Sequence, residues 1–134
     1  MSRRLVSALV AVAALLPPMA PAARAVGLAM LDRLRPGEWT LRERGIDGRV
    51  SVICLKNGRE FIQLRHPGLN CDQLVIDDTA SDVTVQYACR GRGSGYTHIH
   101  READDVVQIE TQGIASAMPF SFVLEGRQRG PCAH

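Results

Sequence analysis

Val83-Thr84-Val85-Gln86-Tyr87-Ala88-Cys89 alternates along its length, with Val83, Val85, Tyr87 and Cys89 on one side and Thr84, Gln86 and Arg90 on the other. A period of two is the mark of a strand with one buried and one wetted face. Three later runs repeat the rhythm: 96–101, 106–112 and 119–128, the last with Phe120, Phe122 and Leu124 in step. Turn residues separate them. Gly91-Arg92-Gly93-Ser94-Gly95 reads as a hairpin connection, and Gly113-Ile114-Ala115-Ser116-Ala117-Met118-Pro119 as a small, apolar, flexible loop. The implied arrangement is an antiparallel meander.

Upstream, Trp39 and Leu41 alternate with polar neighbours over 38–43, 45–48 is turn-like, and 49–55 is β-branched and apolar, so these pieces read as a hairpin. Residues 57–65 place Phe61 and Leu64 at helical spacing before His66-Pro67-Gly68 stops the helix, with His66 read as a turn residue. A strand over 74–76 is closed by an acidic turn over 77–82. Residues 26–36 form a lead-in or short helical turn ending at Pro36-Gly37. About seven strands, one short helix and no alternation of strand with helix predict a mainly β fold. The expected form is a strongly curled, barrel-like antiparallel meander over 37–134.

The first 25 residues differ from the rest. Arg3 and Arg4 precede an uncharged run from Leu5 to Leu16, which breaks at Pro17-Pro18 and reaches Ala23-Arg24-Ala25. This order predicts a secretory signal peptide cut after Ala25. Twelve helical residues rise roughly 18 Å, too short for a membrane anchor. The full chain has 134 residues, is 46% hydrophobic and carries 16 Lys+Arg against 14 Asp+Glu. Loss of Arg3, Arg4 and Arg24 leaves 13 basic residues against 14 acidic ones, a formal charge of −1. That balance gives nucleic acid no electrostatic motive. It predicts a periplasmic or secreted protein with no stable membrane anchor after cleavage.

The four cysteines, Cys54, Cys71, Cys89 and Cys132, lie downstream of the cut. An even count in a short exported domain reads as a disulfide framework. No pair has Cys-x-x-Cys spacing, which argues against zinc. Three connectivities are open. The expected one joins Cys54 to Cys71 and Cys89 to Cys132, because the first pair brackets a self-contained segment.

No catalytic, cofactor or metal residue is assigned. His98 and His100 share a strand face with Tyr96, a geometry able to chelate a metal, but that face is opposite Thr97 and Ile99 and reads as solvent-facing. The glycine-rich 91–95 stretch lacks both the following helix and the spacing of a phosphate loop. The acidic groups Asp77, Asp78 and Asp82, and Glu102, Asp104 and Asp105, fall in predicted turns, where solvation gives little reason for a raised pKa and general-acid work.

Pro36-Gly37-Glu38-Trp39, the four cysteines and the closing Gly126-Arg127-Gln128-Arg129-Gly130-Pro131-Cys132 together make a frame over 36–132. In this frame the chain resembles the exported bacterial proteins grouped as domain-of-unknown-function family 3617. The resemblance implies a periplasmic or secreted β-rich domain with paired cysteines, and no activity. A Met/Pro-rich stretch found between the tryptophan and the first cysteine in common members is missing here. The leading functional expectation is a non-enzymatic envelope protein that binds a small apolar ligand or lipid. The alternative is a structural or protein-interaction module of the envelope, and a hydrolase or metal-dependent enzyme ranks last.

Overall fold

The computed structural model describes residues 27–133, so the predicted signal segment and its cleavage after Ala25 lie outside the described residues. A helix α1 (Ala29–Asp32) is followed by strands β1 (Gly37–Glu43) and β2 (Val50–Leu55), then a 3-10 helix (Gly58–Gln63). Five strands complete the chain: β3 (Asp72–Asp78), β4 (Asp82–Cys89), β5 (Gly93–Ala103), β6 (Val106–Ala115) and β7 (Met118–Gly130). All seven join one antiparallel sheet in the order β2-β1-β7-β6-β5-β4-β3.

The alternation read from the sequence decides which side is buried. Val83, Val85 and Tyr87 of β4, Thr97 and Ile99 of β5, Val107 and Ile109 of β6, and Trp39 and Leu41 of β1 all turn to one inner face. Both helices cover that face. Residues 28–34 bury Leu28, Met30, Leu31 and Leu34 in the same core, and each such side chain contributes about 1.5 to 3 kcal/mol. Phe61 of the 3-10 helix meets Trp39 edge-on with ring centroids 5.2 Å apart. The helix is held at its start by a capping box: the Asn57 side chain accepts from Arg59 N at 3.0 Å, and Glu60 accepts from Asn57 N at 3.2 Å. At its end the Thr97 hydroxyl donates to the Ile62 carbonyl at 2.8 Å, which ties the helix to the middle of the sheet.

The sheet is open, not the expected strongly curled barrel. Closure would require β2 to pair with β3, yet these consecutive strands lie at opposite edges. The chain between them crosses the inner face as the 3-10 helix and its flanking loops, filling the space a closed meander would need. The expected flexible loop at 113–119 is also shorter than its composition suggested. β6 and β7 run into it from both sides, and the reversal is confined to Ser116 and Ala117, both at positive φ as in a tight hairpin turn.

The disulfide pairing differs from the expected one. Cys54 bonds Cys132 and Cys71 bonds Cys89, with Cα separations of 5.5 and 4.3 Å. Register gives the reason. Asp72 faces Ala88 across β3 and β4, so Cys71 extends that ladder to meet Cys89. Glu38 of β1 faces Cys54 on one side and Gly130 on the other, and the tail beyond Gly130 crosses the start of β1 to reach Cys54. Gly37 lies under this crossing at φ +133°, and a Cβ there would fall on the Gly130 carbonyl oxygen and the Gln128 amide. The Pro-Gly-x-Trp opening therefore has a physical role: glycine clears the tail, and Trp39 enters the core with its indole N–H donating to the Arg35 carbonyl at 2.8 Å. All four cysteines are paired, which matches an oxidising, extracellular compartment. No helix among the described residues is long and apolar enough to cross a membrane.

Candidate functional site

Beside β2 the inner face is not fully covered. A cleft of about 620 Å³ lies between β2 and the 3-10 helix, lined by Ile53, Leu64 and Pro67 with Lys56, Arg59, Glu60 and Gln63 at its rim. A second hollow of about 480 Å³ shares Ile53 and Leu64 with the first and adds Leu41, Phe122 and Leu124, with Glu43, Arg49 and Arg65 around it. Together they form a groove along β2 with an apolar floor. Each lies within the roughly 300 to 1,000 Å³ of ordinary ligand sites. Its location follows from the topology: the crossover leaves β2 toward the far edge and cannot cover the β1–β2 hairpin. Local alternation marked Leu41 as set apart from its polar neighbours and 49–55 as an apolar strand, but nothing local placed Leu41 and Ile53 opposite Leu64 and Phe122.

Next to this groove is a buried polar pair that sequence reasoning missed. His66 sits in the turn after the 3-10 helix, as its Pro67-Gly68 context indicated, but its side chain is buried, 4% exposed. Its Nε2–H donates to the Arg92 carbonyl at 3.1 Å, and Nδ1 accepts from the Tyr87 hydroxyl at 2.9 Å, the one tautomer that satisfies both contacts. Burial pushes the Tyr87 phenol pKa up. A side chain at Gly95 would occupy the space of the Tyr87 ring, so the cross-strand glycine makes room for the pair. The inward position of Tyr87 was legible as strand parity; the one available signal for His66 was a polar residue directly after a helix that must return to the core.

On the outer face, His98 and His100 share their side of β5 with Tyr96, as the spacing indicated. They converge on one carboxylate oxygen: His98 Nε2 lies 3.0 Å and His100 Nδ1 2.9 Å from Asp82 Oδ1. Register places Asp82 opposite His100. The Ser81 hydroxyl donates to the other oxygen at 2.6 Å. This hydrogen bond first, and those from the two imidazoles after it, hold the Asp82 pKa at about 2, well below the usual carboxylate range. The group is a hydrogen-bonded staple between β4 and β5. Among the described residues no three His, Cys, Asp or Glu side chains are arranged to hold a metal ion.

The remaining acidic residues are dispersed. Asp77 and Asp78 end β3 instead of lying in a turn, and Asp104 takes Arg101 at 3.2 Å. The glycine-rich stretch is the β4–β5 reversal, with Arg92 N bonded to the Cys89 carbonyl at 2.8 Å. Every buried side-chain nitrogen or oxygen among the described residues has a hydrogen-bond partner. Comparison with family models, curated proteins and solved structures found no match.

Proposed function

We propose that this is an exported, non-enzymatic binding module that takes an elongated apolar molecule, of the class of a lipid acyl chain, into the groove along β2. The observation that carries the reading is the continuous apolar floor from Leu124 and Phe122 over Leu64 and Ile53 to Pro67. The other polar clusters support a role without chemistry: His66 and Tyr87 satisfy one another inside the core, and Asp82 is engaged by three donors. In the same reading, residues 1–25 are the export signal, and the four-cysteine frame belongs with the exported family it resembles.

Mature protein purified from the periplasm should carry an apolar adduct in its native mass that denaturation removes. It should also bind the neutral fluorophore N-phenyl-1-naphthylamine saturably, with Ile53→Lys weakening binding at least tenfold. No adduct and no saturable binding would sink the proposal. A second reading, docking of a strand from another envelope protein, is favoured by the uncharged β2 edge, whose Val50 and Val52 are exposed. It predicts a protein partner that β2 substitutions release.

A further inference from the structure

Resting on the groove reading above, we infer that the ligand is a single-chain anionic amphiphile whose headgroup is received by Arg65, with its chain laid over Leu64 and Ile53. The argument is a count of charges along the rim. Arg59 is already engaged: Nε and Nη2 donate to the two Asp32 oxygens at 3.1 Å, and Nη2 also donates to the Gly27 carbonyl at 2.9 Å. Glu60 is turned to its own helix start, accepting from Lys56 N and Asn57 N at 3.0 and 3.2 Å. Glu43 and Arg49 line the hairpin end of the groove, joined through their backbones by the Glu43 N–H donating to the Arg49 carbonyl at 2.7 Å.

That leaves Arg65, Lys56 and Arg49, none of which has a carboxylate partner within 4 Å among the described residues, and of the three Arg49 shares its end of the groove with Glu43. Three unpaired cations beside an apolar floor are notable in a mature chain whose formal charge is −1. Arg65 is also pre-placed. Its guanidinium lies over the Phe120 ring, 5.7 Å from the centroid, and Phe120 in turn packs beside Phe122 of the groove floor. A planar, always-charged fork next to an apolar slot fits a carboxylate or phosphate carried on a hydrocarbon chain. Lys56, on the far section of the groove, adds to the attractive field without fixing geometry.

Competition against bound N-phenyl-1-naphthylamine tests this directly, with dodecanoate, dodecyl phosphate, 1-dodecanol and dodecylammonium as displacers of equal chain length. The anionic chains should displace the fluorophore on the order of tenfold better than dodecanol, as expected of a charge-assisted contact, and added salt should narrow the gap. The dodecanoate and dodecyl phosphate arms separate a fatty carboxylate from a phosphate headgroup. Arg65→Gln should remove the preference, read as the ratio of anionic-chain to dodecanol displacement against that variant's own fluorophore affinity, Arg65→Lys should retain part of it, and Lys56→Gln should have the smaller effect. Equal displacement by dodecanol, or better displacement by dodecylammonium, overturns the headgroup assignment and leaves the groove reading standing. Absence of fluorophore binding overturns both.

Discussion

The two free edges of the sheet are built differently although each is fastened by one disulfide. The β3 edge carries Asp72, Asp77 and Asp78 along its seven residues and is broken by a bulge near Ile76, the features that keep an edge from pairing with another chain. Its bridge, Cys71–Cys89, joins it to its immediate neighbour. The β2 edge has no charge between Val50 and Leu55, borders the groove, and is fastened by Cys54–Cys132 to a tail that has passed over β1. One edge is blunted and locally secured. The other is uncharged and held from a distance, which keeps the wall of the groove in place without filling it.

The sharpest test of that contrast is removal of each bridge. The enclosed separations are 78 residues for Cys54–Cys132 and 18 for Cys71–Cys89. On the loop-entropy model these correspond to about 4.5 and about 3 kcal/mol respectively. The Cys54→Ala/Cys132→Ala variant should therefore melt lower in thermal denaturation than Cys71→Ala/Cys89→Ala, and only the former should lose fluorophore binding in the groove. Equal melting points with equal binding would erase the distinction.

A smaller effect probes the interior between the crossover and the β3 side. Tyr87→Phe strands the buried Nδ1 of His66 and should cost about 1 to 3 kcal/mol in urea denaturation, whereas Tyr96→Phe on the outer face should stay within about 0.5 kcal/mol. If the two were alike, the His66–Tyr87 contact would contribute nothing net.

The smallest expected effect has its pH dependence in acid. Asp82 titrates at about 2 in the folded chain against an ordinary value of 3.8. The depressed value means that the unfolded chain takes up its proton first. The stabilisation is fully present above about pH 4 and is lost as pH falls toward 2. Asp82→Asn should lower stability modestly at neutral pH and flatten the decline between pH 4 and 2; an unchanged acid limb in denaturation curves would show that the two-histidine contact is not maintained in solution.

Much of the sheet could be read from local pattern. Parity placed Val83, Val85, Tyr87, Thr97 and Ile99 on the inner face, and the 57–65 helix and the 38–55 hairpin were both legible. The strands are longer than their apolar runs: β3 extends from Asp72 to Asp78 where only 74–76 looked strand-like, because edge pairing tolerates carboxylates that composition assigns to turns. Features that depend on long-range pairing were not legible. Whether the meander closes and whether Cys54 meets Cys132 depend on β1 lying between β2 and β7, a contact joining Glu38 to Gly130, and the burial of His66 depends on its meeting Tyr87 and the Arg92 carbonyl. Neither period nor spacing encodes that.

The tail crossing also sets an order of events during synthesis. Cys54 emerges long before Cys132, its partner 78 residues later, and the first cysteine to follow it is Cys71. A thiol oxidised in order of appearance would form the Cys54–Cys71 bridge, which leaves Cys89 and Cys132 without their native partners. The native connectivity thus favours oxidation after Cys132 has emerged, or an isomerase that undoes early pairing. Shape and covalent framework are completed together, once the segment after β7 has crossed β1.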